Sequence, residues 1–353
     1  MRGTRALLWP LSVVFGAAAH FRARVYRTGL RKQRRLNGVV ISVGNLTTGG
    51  TGKTPMVAWI ADGLVKEGKA TGILTRGYPG KSREGIGDTS DEVKLLRARL
   101  GERVAIGVGA DRFAQGQELA KQGIEWFILD DGFQHLQLAR DVDIVLVDAT
   151  NPFGGGHLLP AGRLREPKSA IRRADVIMIT RSARAPAVEA AVRRESAAPI
   201  FYAHAGLDAI RSFPGGGMGG AKSASEVGPA FAFCGIGNPG AFLADLRVWG
   251  VQVAGHKFFR DHHRYTNRDG ERILREAKAA GARALMCTEK DLYNLHAIHR
   301  FEMPLFYCRI SLAIDREDEF WDCVMKIAEA RRNTALRGLP LGSAGNEGLG
   351  GKA

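Results

Sequence analysis

The sequence predicts an α/β protein: a doubly wound parallel sheet with helices on both faces, followed by a second, smaller α/β domain. Three observations carry this. Short apolar, β-branched runs alternate with amphipathic stretches from residue 39 onward, the pattern of βαβ units. A Gly-rich turn joins the first run to the first helix. A Gly/Ser-rich break at 211–228 separates this series from another of the same kind. The divisions that follow are a basic N-terminal segment 1–36, a larger domain 37–210, a linker 211–228, a smaller domain 229–331 and a tail 332–353 with too little apolar surface to order.

At 353 residues the chain can bury a large core. With 45% hydrophobic and 25% charged residues it is globular rather than disordered. Cys234, Cys287, Cys308 and Cys323 lie far apart with no C-x-x-C pair, so they read as reduced core thiols of a cytosolic protein. The formal net charge of +15 requires an acidic partner: nucleic acid, a phosphorylated small molecule or an anionic membrane. No helix-turn-helix, zinc or RRM signature is present, so nucleic acid is not expected.

In the N-terminal segment, Arg2 and Arg5 precede an apolar run from Ala6 to Ala19. Arg22, Arg24, Arg27, Arg31, Lys32, Arg34 and Arg35 follow, with no acid among them. The run is too short to span a bilayer. Ala17-Ala18-Ala19 imitates a signal-peptide cleavage site, but the basic cluster behind it opposes export. The segment therefore predicts an amphipathic, basic anchor for anionic headgroups. The competing reading is a helix packed on the protein with its basic face in water.

Val39, Val40, Ile41 and Val43 predict a buried strand. It empties into Thr47-Thr48-Gly49-Gly50-Thr51-Gly52-Lys53-Thr54, and a helix follows with Val57, Ile60, Ala61, Leu64 and Val65 on one face. Strand, Gly-rich turn, Lys-Thr and helix form the context of a phosphate-binding P-loop. Backbone N–H groups cradle phosphate oxygens, Lys53 reaches the β- and γ-phosphates and the Thr54 hydroxyl holds Mg²⁺. Pro55 suits the first helical turn. The pattern departs from G-x-x-x-x-G-K-[ST] at Thr47, where Gly is usual.

Further strands are predicted in ATGILT from Ala70, RVAIGV from Arg103, EWFIL from Glu125, DIVLV from Asp143, DVIMI from Asp175 and PIFYA from Pro199. Helices open at Asp91 and Asp111, each an Asp able to cap. After the break come strands in PAFAFCGIG, VQVAGHKFF, ALMCTEKD and PLFYCRIS, with helices near 242–249, 268–280 and 317–331. In such sheets ligands sit beyond the carboxyl ends of the strands, and candidate residues cluster there. Asp130 and Asp131 end a hydrophobic strand, where one is expected on Mg²⁺ and the other on the nucleophile or Lys53. The long Gly/Pro-rich loop 151–167 offers Arg163 and Arg165 as a phosphate clamp and Glu166 as a metal partner. Asp261-His262-His263 can tune a base or order a water. Asp88 and Asp91 lie in or beside the loop after the strand ending at Thr75.

Taken together, VGNLTTGGTGKTP, ILTRGYPGK, SDEVKLL, EWFILDDGFQHLQLARDVDIVLVD, LLPAGRLREP, RRADVIMITR, FRDHHRYT and TEKDL resemble the tetraacyldisaccharide 4′-kinase family, the lipid A 4′-kinases of Gram-negative bacteria. The resemblance implies a P-loop kinase fold and ATP with Mg²⁺ as cofactors. It also implies transfer of the γ-phosphoryl group to the 4′-hydroxyl of a lipid A disaccharide 1-phosphate precursor, giving lipid IVA. It implies an N-terminal segment docked peripherally on the cytoplasmic face of the inner membrane, and a monomer is expected. Aligned with the family, Asp91 is the base assisted by His262, with a slip to Asp88 open because Ser90-Asp91-Glu92 stands where Gly-Asp-Glu is usual. In this reading the two residues belong to different domains and meet only on closure. The rival is a P-loop regulatory ATPase, which carries Lys where this chain has Thr48. A GTPase wants [N/T]-K-x-D, and Thr288-Glu289-Lys290-Asp291 puts Lys one place late.

Overall fold

The computed structural model describes residues 2–77, 90–213, 222–295 and 302–336. Among them are strands β1 (Val39–Asn45), β2 (Thr71–Thr75), β3 (Ala105–Val108), β4 (Trp126–Asp130), β5 (Val142–Asp148), β6 (Val176–Thr180), β7 (Ile200–Phe213), β8 (Ala230–Cys234), β9 (Val253–Phe258), β10 (Ala284–Thr288) and β11 (Leu305–Ile314). The helices are α1 (Arg2–Arg27), α2 (Lys53–Lys66), α3 (Asp91–Leu100), α4 (Arg112–Lys121), α5 (Pro186–Arg193), α6 (Ala224–Val227), α7 (Pro239–Val248), α8 (Asn267–Ala279), α9 (Glu289–Leu292) and α10 (Glu317–Leu336). β1 and β5 are buried along their whole length, as parallel strands covered on both faces must be.

All strands join one sheet in the order β3-β2-β4-β1-β5-β6-β7-β11-β10-β8-β9. Every pairing is parallel except β7 with β11. That junction decides where the site lies. The first residues of β7 pair with β6, whereas its last, Ile210 to Phe213, pair with the start of β11, which in turn carries β10. The β7–β11 ribbon thus extends past the carboxyl ends of the first block of strands and supports the second block in reversed direction. The carboxyl ends of the two parallel blocks consequently face each other across the middle of the ribbon.

The predicted division into two domains is altered in three places. Residues 211–213 of the expected linker are strand, because they pair with β11, and 224–227 form α6. The last helix, expected in the smaller domain, packs Phe320, Val324 and Ala328 among β1, β5 and α2 side chains of the first block. It also runs on to Leu336, so the expected tail starts as helix, and 337–353 lie outside the described residues. Helix α3 is capped by Ser90, whose hydroxyl accepts from Val93 N, rather than by Asp91; Asp111 does cap α4.

Helix α1 lies on the loop 158–161. The Ser12 hydroxyl donates to Leu158 O at 3.0 Å and accepts from Ala161 N at 3.0 Å. A Cβ on Gly16 would stand 2.5 Å from Leu158 Cδ1, so a larger residue there would push the Leu158 side chain aside. Trp9, Leu11, Val13, Val14 and Phe21 are exposed. The basic cluster behind α1 is only partly free of the protein, since Arg34 pairs with Asp111 and Arg35 with buried Asp141. No helix among the described residues is long and apolar enough to cross a membrane.

Candidate active site

The facing carboxyl ends enclose a cleft of about 1120 Å³. One wall is the turn after β1. Gly49 (φ 117°) and Gly52 (φ 87°) adopt left-handed backbone there, which explains these two glycines. Thr47 needs no such freedom. It is bridged to Leu164, with Thr48 N donating to Arg163 O at 2.8 Å and Arg165 N to Leu46 O at 2.8 Å, so the first part of the turn is extended backbone. Lys53 lies at the head of α2, its ammonium 3.2 Å from Asn45 Oδ1 and 3.5 Å from Asp131 Oδ1.

The structure separates the two adjacent acids as their alternation on a strand end requires. Asp131 (φ 49°) turns towards cations: Arg165 donates to both its oxygens at 2.8 and 2.7 Å, and Lys53 stands beside it. Burial would raise its pKa, but Lys53 and Arg165 outweigh this and hold it below the ordinary value. Asp130 accepts from the Thr75 hydroxyl at 3.1 Å and makes no ion pair among the described residues. Burial pushes its pKa up to about 6, with Lys53 opposing and Asp131 and Glu92 adding to the rise.

Loop 151–167 runs along the phosphate turn, but its charged residues do other work than expected. Arg165 is committed to Asp131, and Arg163 Nε donates to Thr48 O at 3.0 Å, bracing the turn. Both Glu166 oxygens accept from Arg173, at 2.7 and 3.0 Å. A carboxylate so paired has little left for a metal, and the expected role of Glu166 on Mg²⁺ gains no support from its position.

From the opposite block, Gly237 approaches so closely that a Cβ on it would meet Gly50 N at 2.6 Å. Asp261 and His262 follow β9. His262 (φ 57°) points Nδ1 at Asp91, 2.9 and 3.0 Å from its two oxygens. Asp91, at the start of α3, is buried and also accepts from Asn294 Nδ2 at 3.3 Å. Burial alone would raise its pKa; His262, Lys290 and Asn294 lower it below the usual carboxylate range. The His262 pKa is raised by its bond to Asp91, against burial and Lys290. The expectation that the pair meets only on closure is therefore corrected: the two residues are already joined. Asp88 lies outside the described residues.

Several residues here escaped the sequence reading. Lys290 stands one place late for a guanine motif in the sequence, yet its ammonium lies 3.3 Å from Asp261, 3.5 Å from Glu92 and 3.7 Å from Asp91. Arg112 follows a capping Asp and looks like an ordinary first-turn residue. It is 8% exposed, its Nε has no partner among the described residues, and it lines the cleft near Arg22, Arg76 and His135. Burial and then Arg76 lower its pKa. His135 Nε2 is likewise buried and without a partner among the described residues, and burial with Arg112, Arg140 and Arg22 pushes its pKa down to about 4. Asp131, Arg181 and His262, three of the four non-glycine residues with positive φ among the described residues, all line this cleft, where backbone strain tends to collect.

Comparisons with known proteins show which family the chain is similar to. The family model described as tetraacyldisaccharide-1-P 4′-kinase matches residues 4–329. A tetraacyldisaccharide 4′-kinase of an Anaeromyxobacter species is 36% identical over 95% of both chains, and one of Geobacter metallireducens is 41% identical over 82% of this chain and 88% of that one. The crystal structure of LpxK from Aquifex aeolicus in complex with ATP is 30% identical, superposes with a TM-score of 0.68 and covers 92% of this chain and 99% of its own. The chain belongs to the tetraacyldisaccharide-1-P 4′-kinase family.

Proposed function

We propose that this cleft binds ATP with its phosphates on Thr47 to Thr54 and transfers the γ-phosphoryl group to the 4′-hydroxyl of tetraacyldisaccharide 1-phosphate. The observation that carries it is the meeting of two half-sites. The phosphate turn and Lys53 come from the first block, and His262 comes from the second, bonded to Asp91 at 2.9 Å. In the transfer, the acceptor hydroxyl gives its proton to Asp91 as its oxygen bonds to the γ-phosphorus. The bond to the bridging β-phosphate oxygen breaks, and ADP leaves. Catalysis of this kind is positioning and charge neutralisation.

Oxygen donors suit Mg²⁺, and Thr54 with Asp130 fits it best. A carboxyl pushed up to about 6, with no ion pair among the described residues, is short of positive charge, which a bound cation would supply. Bound there, Mg²⁺ would neutralise charge on the β- and γ-oxygens. Asp131 adjoins the site but holds Lys53 and Arg165. The acceptor's own phosphate suits the pocket of Arg22, Arg76 and Arg112, since the buried Arg112 guanidinium has no ion pair among the described residues and its Nε is an unspent donor there. Phe15, Ala18 and Ala19 of α1 adjoin that pocket, and the outward apolar face of the same helix supports peripheral docking on the cytoplasmic face of the inner membrane.

Steady-state kinetics test the arrangement. Lys53→Ala should abolish transfer with the circular dichroism unchanged, while Arg112→Ala should raise the acceptor KM about 10-fold or more with the ATP KM nearly constant. Retained activity in folded Lys53→Ala removes the phosphate-turn reading. An unchanged acceptor KM in Arg112→Ala removes the anion pocket.

A further inference from the structure

Lys290 has no part in the scheme above, although it is a cation placed among the residues that carry it. Its position is built with care. Thr288 caps α9 and exchanges bonds with Asp291, which is 1% exposed and also accepts from Gly235 N at 2.7 Å and the Tyr265 hydroxyl at 2.8 Å. This buried anchor fixes the first turn of α9. Glu289 on one side then pairs with Arg99 of α3, and Asn294 on the other reaches Asp91. Helix α9 is thus clasped to α3 from the opposite block, with Lys290 in the middle of the clasp.

The charged groups around the Lys290 ammonium are Asp91 and Glu92 from α3, with Asp261 and His262 from the loop after β9. Arg99 neutralises Glu289, and Asp130 lies beyond Glu92. Asp91, Glu92 and His262 offer ligand atoms within 4.8 Å of one another, and the cation among them is Lys290 itself. Its Nζ lies 3.3 Å from His262 Nε2. An ammonium has three donors and no acceptor, so a hydrogen bond between it and Nε2 needs a lone pair on that nitrogen, and the Glu92 and Asp261 oxygens stand farther from Nε2, at 3.6 and 3.8 Å. The ring proton then sits on Nδ1, the nitrogen that faces Asp91. A proton on Nε2 would set two donors against each other and leave Asp91 opposite a lone pair.

We infer that Lys290 is a positioning residue for phosphoryl transfer, whose ammonium holds His262 in the Nδ1–H tautomer so that the ring donates to Asp91 and keeps this carboxylate aimed and charged for the acceptor hydroxyl. The inference rests on the kinase reading for its catalytic meaning, and on geometry alone for the tautomer. Glu92 and Asp261 share the ammonium, hold it in place and are themselves kept apart by it. Arg can supply the charge at this position, whereas Met supplies only the length.

Two measurements on the full-length protein test it. Nitrogen-15 NMR of the histidine rings, with the His262 signal assigned by His262→Gln, reads the tautomer directly. Nδ1–H in the wild type and in Lys290→Arg, with a mixture or Nε2–H in Lys290→Met, supports the inference. Nε2–H in the wild type overturns it whether or not the variants fold. The second measurement is kcat against pH at saturating ATP and acceptor. Removing a cation beside Asp91 raises the pKa of the carboxyl, so the acid limb in Lys290→Met should move up by about 1 pH unit. Its kcat should fall about 10- to 100-fold with the ATP KM little changed, and Lys290→Arg should restore the limb. A loss of kcat with the limb and the tautomer both unmoved marks Lys290 as a structural clasp only and overturns the proposal. Absence of phosphoryl transfer by the wild type sinks the kinase reading, while the ring signal still decides the tautomer.

Discussion

Replacing Asp130 by Asn should make the protein more stable and less active at once. Burial at the end of β4 moves this carboxyl from an ordinary 3.8 up to about 6. Between those values the folded chain binds more protons than the unfolded one, so stability falls as pH climbs through the window and stays lowered above it. Linkage gives a cost of about 3 kcal/mol at neutral pH. Asp130 is half-buried and faces the water of the cleft, so about 1–2 kcal/mol is the figure to carry forward. Asn retains an oxygen for the Thr75 hydroxyl and carries no charge. Thermal unfolding of both proteins in EDTA, from about pH 4 to about pH 8, reads the effect. The melting curves should approach each other near pH 4, separate between about pH 4 and about pH 6 and stay apart above it, with the variant higher by about 1–3 °C. Phosphoryl transfer should fall by about 100-fold or more, as expected when a charge that neutralises the transition state is removed. A variant that melts no higher than the wild type at the alkaline end refutes the argument, because the buried charge would then carry no cost.

Asp91→Ala and His262→Ala should each lower kcat strongly, and the double variant should be scarcely worse than the more damaging single one, since bonded residues act as a unit. Multiplicative losses in the double variant would separate the two roles. Deleting residues 1–27 should weaken binding to anionic vesicles more than ATP binding, because Trp9, Val14 and Phe21 present their side chains outward. Equal flotation of both forms at low salt would remove α1 as the docking element.

The parallel strands were legible because each is buried on both faces and reads as one apolar run, as VVISV and DIVLV show. The end of β7 was not, because Ile210-Arg211-Ser212-Phe213 becomes strand only by pairing with β11, almost a hundred residues later. The same pairing reverses the second block and brings Asp91 and His262 together, a contact that local pattern does not encode. The phosphate turn was legible from Gly49, Gly52 and Lys53, and its oddity at Thr47 is resolved by the bridge to Leu164. Asp91 was singled out chiefly by family resemblance, and its expected capping duty falls to Ser90. Glu166 looked like a metal partner because nothing in the sequence revealed that Arg173, seven residues on, takes both its oxygens. Lys290 and Arg112 were silent for a similar reason: a single Lys or Arg in a helical turn is ordinarily a solvated surface residue, and only the fold turns these two inward.

The central claim is that residues from both blocks form one centre for phosphoryl transfer to a lipid hydroxyl. Incubation of the protein with Mg-ATP and tetraacyldisaccharide 1-phosphate, followed by mass and fragmentation analysis of the lipid, tests it most directly. A lipid heavier by one phosphoryl group on the 4′-oxygen should form in step with ADP with the wild type and be absent with Lys53→Ala. ADP released without any change in the lipid, or phosphate found on another oxygen, would contradict it.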